Sequence, residues 1–459
     1  MKINPTIFRE YDIRGKYPSE LSNETAQLLG RAFIKDKKIK TLVLGRDKRL
    51  ESKKVADNFS RGALAGGAKI MDLGVVSTPI LFWSVNELKA DGGAMVTPSH
   101  IPLGYAGIKL CGRDGLTLGL RTGLKKLKTL AEEIPDHQSA ERGTSKIIKK
   151  IDPVNDYRDF ILTFVKGRKI KKFKIVLDAS GGSGAGMAEK VFAALPVQII
   201  KMNFQPRDRY PDHGLNPLLA SNYRSIAKVV KGKKADLGLI WDGDADRLIF
   251  IDEQGKFIPP YYLNCLLAKI FLEKYPQSGL VVDARLNLGI GEIIKAGGGR
   301  ALVCRSGYTN LVKLMLGKRS LFGCENSGHY LFNLLLKKQK NYVWGESILP
   351  ALLVLEYLSA HNLSLSQALK PIISKYFISG EINLPLKNYG AAKQKIKKHF
   401  GENILSELDG LSVKDNQGAW FFNIRPSKNE PLVRLNVEAK NRTKLASLKA
   451  ELLKLIKSV

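Results

Sequence analysis

Short apolar runs alternate with amphipathic stretches along the whole chain. Thr41-Leu42-Val43-Leu44-Gly45 reads as a buried strand, Ser52 to Gly66 as a helix, and Ala68 to Leu73 as the next strand. Gly92 to Val96 is a further strand that ends in a turn. A second round opens with Phe173 to Asp178, followed at once by Gly181-Gly182-Ser183-Gly184, and its later strand Leu237 to Trp241 runs straight into an acidic turn. A third opens near Lys256, with a strand over Gly279 to Asp283 and a long helical stretch from Ser347 to His361. From about Lys370 the character changes: short strands around Phe421 to Ile424 and Leu432 to Ala439 precede a terminal helix from Arg442 to Ile456. This succession predicts three similar mixed α/β domains, over 1–150, 151–255 and 256–369, and a smaller α+β C-terminal domain over 370–459.

Composition narrows the classes. Of 459 residues, 44% are hydrophobic and 25% charged, which excludes global disorder. The longest apolar runs, such as Ile348 to Leu355, fall well short of the roughly 20 residues that cross a bilayer. Met1 to Pro5 has no apolar core of a signal peptide. A cytoplasmic protein with no membrane partner is therefore expected. Cys111, Cys265, Cys304 and Cys324 lie far apart without C-x-x-C spacing and read as ordinary thiols.

Charge is the unusual feature: 74 Lys and Arg against 43 acids give +31. Such a field attracts anions, sugar phosphates among them. The lysines fall in short runs, Lys35 to Lys40, Lys146 to Lys150, Lys166 to Lys174 and Lys337 to Lys340, without the interleaved aromatics of a nucleic-acid platform. They read as a solvated basic surface, and nucleic acid is not an expected partner. Glu132 to Lys150 reads as a polar surface excursion between domains.

Asp242-Gly243-Asp244-Ala245-Asp246-Arg247 carries the strongest chemical signal. Carboxylates packed so closely repel, so a cation is their natural partner. Oxygen ligands without His or Cys favour Mg²⁺. A calcium loop is the rival, but Arg247 stands where its sharp turn requires Gly. The turn also follows a buried strand, where α/β sites usually sit.

Thr97-Pro98-Ser99-His100-Ile101-Pro102 offers a serine beside a histidine, a possible nucleophile and base. It lacks the G-x-S-x-G frame of a hydrolase. A metal site elsewhere gives it meaning, because phosphoryl transfer needs a metal, a nucleophile and positive clamps together. Lys109 is a candidate to move a proton on a sugar hydroxyl, if its pKa is lowered. Gly323-Cys324-Glu325-Asn326-Ser327-Gly328-His329 sets an acceptor, a hydroxyl and an imidazole at alternate positions, which suits a sugar ring. Arg425-Pro426-Ser427-Lys428-Asn429-Glu430-Pro431, with Arg434 beyond it, gathers groups able to hold a dianion. Each of these loops can also be an ordinary polar turn.

Together these motifs resemble the α-D-phosphohexomutases, in particular the phosphomannomutase/phosphoglucomutase branch, over nearly the whole chain and in the family's order. Phe8-Arg9-Glu10-Tyr11-Asp12-Ile13-Arg14-Gly15 is similar to the N-terminal signature and Gly45-Arg46-Asp47 to the next. The resemblance implies four domains around one central cleft and makes Ser99 the phosphorylated serine. It makes Asp242, Asp244 and Asp246 the Mg²⁺ ligands, with the phosphate on Ser99 as another. It also implies a sugar-recognising set of Glu325, Ser327 and His329, a phosphate clamp of Arg425, Ser427, Asn429 and Arg434, and proton transfer by Lys109 with Arg247 as partner. Tyr11 and Arg14 would border the cleft, and Arg285 and Tyr308 would face substrate. Departures from the family's T-A-S-H-N-P and R-x-S-[GN]-T-E-P loops are Pro98, Ile101, Lys428 and Asn429. Tyr308 replaces a common histidine, and Val343-Trp344 stands for an acidic pair before the long helix.

The implied activity interconverts hexose 6-phosphate and hexose 1-phosphate, mannose or glucose, through phosphoserine and a hexose 1,6-bisphosphate that serves as intermediate and activator. A monomer or dimer is expected. Phosphoglucosamine mutase is an alternative, against which stands the Tyr-Asp-Ile-Arg motif in place of that branch's Gly-Ile-Arg type. A catalytically impaired binding protein of the same fold is another.

Overall fold

The computed structural model describes residues 1–135, 148–205, 213–386, 388–427 and 431–458. The chain forms two compact units, Met1–Phe257 with His329–Asn362, and Ile258–Gly328 with Leu363–Val459.

The first unit contains two sheets. In the first, strands run in the order Ile13–Lys16, Tyr105–Gly112, Gly92–Val96, Thr41–Arg46, Lys69–Val75 and Ile148–Lys150. The inner strands are parallel, joined by helices Leu50–Ala65 and Thr78–Glu87, while Tyr105–Gly112 returns antiparallel beside Gly92–Val96. Gly92–Val96 is buried throughout, as a strand covered on both faces must be. Its C-terminal end delivers the serine loop. The second sheet sets Leu248–Asp252, Leu237–Trp241, Phe173–Asp178 and Val197–Met202 side by side. Leu237–Trp241 is parallel to Phe173–Asp178 but antiparallel to Leu248–Asp252, so the acidic turn is the loop of a hairpin. The unit is completed by the hairpin of Tyr330–Asn333 with Val343–Gly345 and by helix Leu349–Ala360. Nearly every side chain of that helix is buried, which explains why its sequence is apolar on all faces.

In the second unit, Arg300–Cys304, Gly279–Asp283 and Phe322–Cys324 form parallel pairs, with helices Leu288–Ala296 and Tyr308–Lys318 as connections. Its C-terminal part is a five-stranded antiparallel sheet, ordered Phe377–Pro385, Leu432–Ala439, Trp420–Pro426, Leu411–Lys414, Ile404–Ser406. Helices Tyr389–Phe400 and Arg442–Lys457 bury Ile396, Phe400, Leu448 and Leu452 against it. The three α/β arrangements and the smaller C-terminal sheet agree with the expected fold class. Part of the expected surface excursion, 136–147, lies outside the described residues, and its end, Ile148–Lys150, is an edge strand paired with Lys69–Val75. Among the described residues no helix is long and apolar enough to cross a membrane. All four cysteines are buried free thiols.

Candidate active site

The acidic hairpin loop is closed by the pairing of Trp241 with Leu248. Asp242, Asp244 and Asp246 are buried, and one carboxylate oxygen of each lies within 4.8 Å of the others. The bend requires Ala245 at φ +56°, a conformation costly for a residue with a Cβ. It is held from behind. Ser347 Oγ donates to Ala245 O at 2.8 Å and accepts from Trp241 Nε1 at 3.1 Å. The Ser183 backbone N–H donates to Gly243 O at 3.0 Å. The glycine run after Phe173–Asp178 exists for this contact: a Cβ on Gly182 would stand 2.4 Å from Gly243 O. These glycines admit the acidic loop's backbone rather than cradling a phosphate.

Ser99 is reached from the neighbouring sheet. Thr97 Oγ1 donates to Asp47 Oδ2 at 2.7 Å and accepts from the Ser99 N–H at 2.9 Å. Arg49, hydrogen-bonded to Ser99 O at 2.7 Å and Pro102 O at 3.1 Å, pins the loop from both sides of His100. Ser99 sits at φ +58° and is buried. Its hydroxyl donates to Asp242 Oδ2 at 2.8 Å and lies 3.2 Å from His100 Nδ1. Gly243 has no side chain because the Ser99 carbonyl would be 2.7 Å from a Cβ there. Serine loop and acidic loop therefore meet backbone to backbone.

Cations surround the triad. Lys109 Nζ donates to Asp244 Oδ2 at 2.6 Å and Asp246 Oδ2 at 2.5 Å. Arg247 Nε lies 4.0 Å from Asp242 Oδ2, and Arg14 is held by Asp12 at 2.6 Å. Tyr11, just before that pair, is half-buried. His329 Nε2 stands 3.3 Å from Asp246 Oδ1, in the same unit as the acidic loop, whereas Glu325 and Ser327 belong to the second unit. Burial works to lower the Lys109 pKa, but Asp244 and Asp246 outweigh it and push it up. The lowered pKa expected of a proton-accepting lysine is thus not found; Lys109 is a held ammonium. Burial, with Arg247 and Arg14 nearby, pushes His100 far down, so its imidazole is neutral. Burial and the other two carboxylates push Asp242 up; Asp246, despite burial, is held low by Lys109 and His329.

The donor set fits a hard divalent cation. All three ligands are carboxylates, and Asp244 Oδ1 is buried without a hydrogen-bond donor among the described residues. A buried carboxylate oxygen without a donor is costly unless a cation faces it.

In the second unit Arg285 binds Asp283 (Nη2 to Oδ2, 2.7 Å), with Glu325 at 3.4 Å and Glu381 at 3.9 Å. Burial alone would lower its pKa, yet these carboxylates raise it. Glu325 accepts from the Gly307 N–H at 2.8 Å and the Ser327 hydroxyl at 2.7 Å, and Tyr308 starts the next helix. Arg425 and Arg434 face each other across adjacent strands, and Glu381 takes both, at 3.3 and 3.2 Å. Ser427 follows the strand, its N–H donating to Leu432 O; Lys428 and Asn429 lie outside the described residues. Val343 and Trp344 are buried strand residues. The carboxylate at the long helix's start is Glu346, which accepts from the N–H groups of Ile348 and Leu349.

The sequence reading missed Arg49, Asp283, Glu346 and Glu381, and also Thr78, whose hydroxyl donates to Asp244 Oδ2. Arg49 sits two residues beyond Asp47 in a noted motif. The others carry no local signal.

A buried serine hydroxyl against a carboxylate triad, with Lys109, Arg247 and Arg14 around it, suits phosphoryl transfer. The chain belongs to the phosphoglucomutase/phosphomannomutase family: it matches the family's alpha/beta/alpha domain I over residues 5–137, domain II over 155–255, domain III over 259–376 and the C-terminal domain over 381–455. It is 34% identical over 437 residues to a protein named phosphohexose mutases from Xanthomonas campestris pv. campestris, covering 94% of this chain and 95% of that one. It is 33% identical to a phosphomannomutase from Vibrio cholerae, covering 99% of each. A solved phosphoglucomutase/phosphomannomutase family protein from Burkholderia thailandensis shares the fold at TM-score 0.86 and 24% identity, covering 99% of this chain and 98% of that one.

Proposed function

We propose that this chain interconverts hexose 6-phosphate and hexose 1-phosphate, on mannose, glucose or both, by way of phosphorylated Ser99. The carrying observation is the Ser99 hydroxyl at 2.8 Å from Asp242 within a buried carboxylate triad. Asp242, Asp244 and Asp246 would hold Mg²⁺, which when bound neutralises charge on the phosphoryl group.

Phosphoserine 99 gives its phosphoryl group to the free hydroxyl of a hexose monophosphate. The Ser99 Oγ–P bond breaks, a sugar O–P bond forms, and the sugar hydroxyl's proton ends on the freed Ser99 oxygen, with neutral His100 Nδ1 at 3.2 Å to relay it; the return step runs the same exchange in reverse. The resulting 1,6-bisphosphate turns over, and its other phosphoryl group returns to Ser99. Arg14, Lys109 and Arg247 offset charge around the reacting group, and neutral His100 can accept a hydrogen bond there. Arg425, Ser427, Asn429 and Arg434 would hold the non-reacting phosphate, with Arg285 near. Glu325, Ser327 and His329, with Tyr308 and Tyr11, would contact the sugar. Catalysis on this reading is positioning and charge neutralisation.

The test is turnover of mannose, glucose and glucosamine phosphates by the purified chain with Mg²⁺ and a hexose 1,6-bisphosphate. Conversion of glucosamine phosphate alone would move the substrate to the amino sugar. No conversion of any of them would leave a binding protein.

A further inference from the structure

Asp244 has a second tether besides Lys109. Thr78, the first residue of helix Thr78–Glu87, donates its hydroxyl to Asp244 Oδ2 at 2.5 Å and its backbone N–H to Asp244 O at 2.9 Å. Both residues are buried, and 166 positions separate them in sequence. Lys109 takes the same oxygen, Oδ2, at 2.6 Å. Two donors on one oxygen fix the carboxylate's rotation and leave Oδ1 as the undonated atom. Against repulsion from Asp242 and Asp246, an untethered Asp244 would turn its charge elsewhere.

We propose that Thr78 is a positioning residue for the metal site: by occupying Asp244 Oδ2 it presents Oδ1 to the cation. The inference rests on the triad being a Mg²⁺ site. Because helix Thr78–Glu87 leads into Gly92–Val96, the strand that carries the serine loop, the hydroxyl also ties the metal ligand to the part of the fold that supplies the nucleophile.

The test compares the unaltered full chain with Thr78→Val, which keeps shape and backbone N–H, and Thr78→Ser, which keeps the hydroxyl. Binding is read by calorimetric Mg²⁺ titration and by the Mg²⁺-induced rise in unfolding temperature. The Val variant is expected to bind Mg²⁺ about 10- to 100-fold more weakly, the range found when a ligand's outer partner is removed. The Ser variant should stay close to the unaltered chain. Equal Mg²⁺ affinity in the unaltered chain and the Val variant overturns the role of Thr78 alone. No Mg²⁺ binding by the unaltered chain overturns the metal reading with it. If the Val variant does not unfold cooperatively, Thr78→Cys, of similar size and a much weaker donor, carries the same expectation.

Discussion

Ser99 and Asp242, 143 positions apart in sequence, share a hydrogen bond of 2.8 Å in the buried heart of the first unit. The contact exists because two strand ends, Val96 and Trp241, deliver their loops to one place, and because Gly243 and Gly182 let three backbones approach without side chains between them.

If Ser99 carries the phosphate, Ser99→Ala removes both the carrier and the turnover. Incubation with hexose 1,6-bisphosphate should add one phosphoryl group to the unaltered chain by intact mass and none to the variant. Turnover should fall by about 10³-fold or more, the scale on which loss of a covalent nucleophile is felt. A variant that retains full activity would sink the mechanism.

Gly182→Ala places a methyl group 2.4 Å from the Gly243 carbonyl, so the acidic loop must move. Overpacking of this kind costs about 1–3 kcal/mol in stability. The larger expected effect is on Mg²⁺ affinity, about 10-fold weaker, since ligand spacing changes directly. Calorimetric titration beside a thermal melt separates the two effects.

Glu381 offers one carboxylate to Arg285, Arg425 and Arg434. A phosphate dianion bound by these arginines competes with it. Glu381→Gln removes the competing charge and should strengthen inhibition by inorganic phosphate by roughly 3- to 10-fold, a modest factor because the site is partly open to solvent. Weaker inhibition would mean that Glu381 organises the arginines instead.

Stability should fall as pH rises from about 4.5 to 7. Burial pushes Glu438 up to about 7, although the N–H groups of Gly289 and Leu288 favour its charged form. Tyr261 donates its hydroxyl to the same carboxyl group. Between the ordinary carboxylate value and the raised one, the folded chain keeps a proton the unfolded chain has lost. The contribution is complete below the lower value and disappears as pH passes the upper one, on the order of 3 kcal/mol across the window. Glu346, also pushed up to about 7 by burial, acts in the same direction in the first unit. Thermal melts against pH should show a shallower decline for Glu438→Gln than for the unaltered chain.

The strands and helices that matter were readable, because burial on both faces leaves continuous apolar runs such as Leu237–Trp241 and one-sided burial leaves helical periodicity, as over Leu50–Ala65. The acidic turn was readable for a related reason: three carboxylates so close in sequence are unstable without a cation wherever the chain folds. The state of Lys109 was not, since its pKa depends on Asp244 and Asp246 more than 130 positions away. Nor was the approach of His329 to Asp246, 83 positions away in sequence.

By itself, then, the sequence determined the order of elements, the acidic triad, and the candidate serine with its resemblance to a family. Only the tertiary structure decided that Ser99 meets Asp242, that Arg49 and Thr78 hold the two loops, and that Glu381 gathers three arginines. Local patterns record what a residue needs from its neighbours in sequence. Contacts across 50 to 166 positions depend on which faces of the sheets and helices pack together, and a lone Thr, Arg or Glu carries no trace of that.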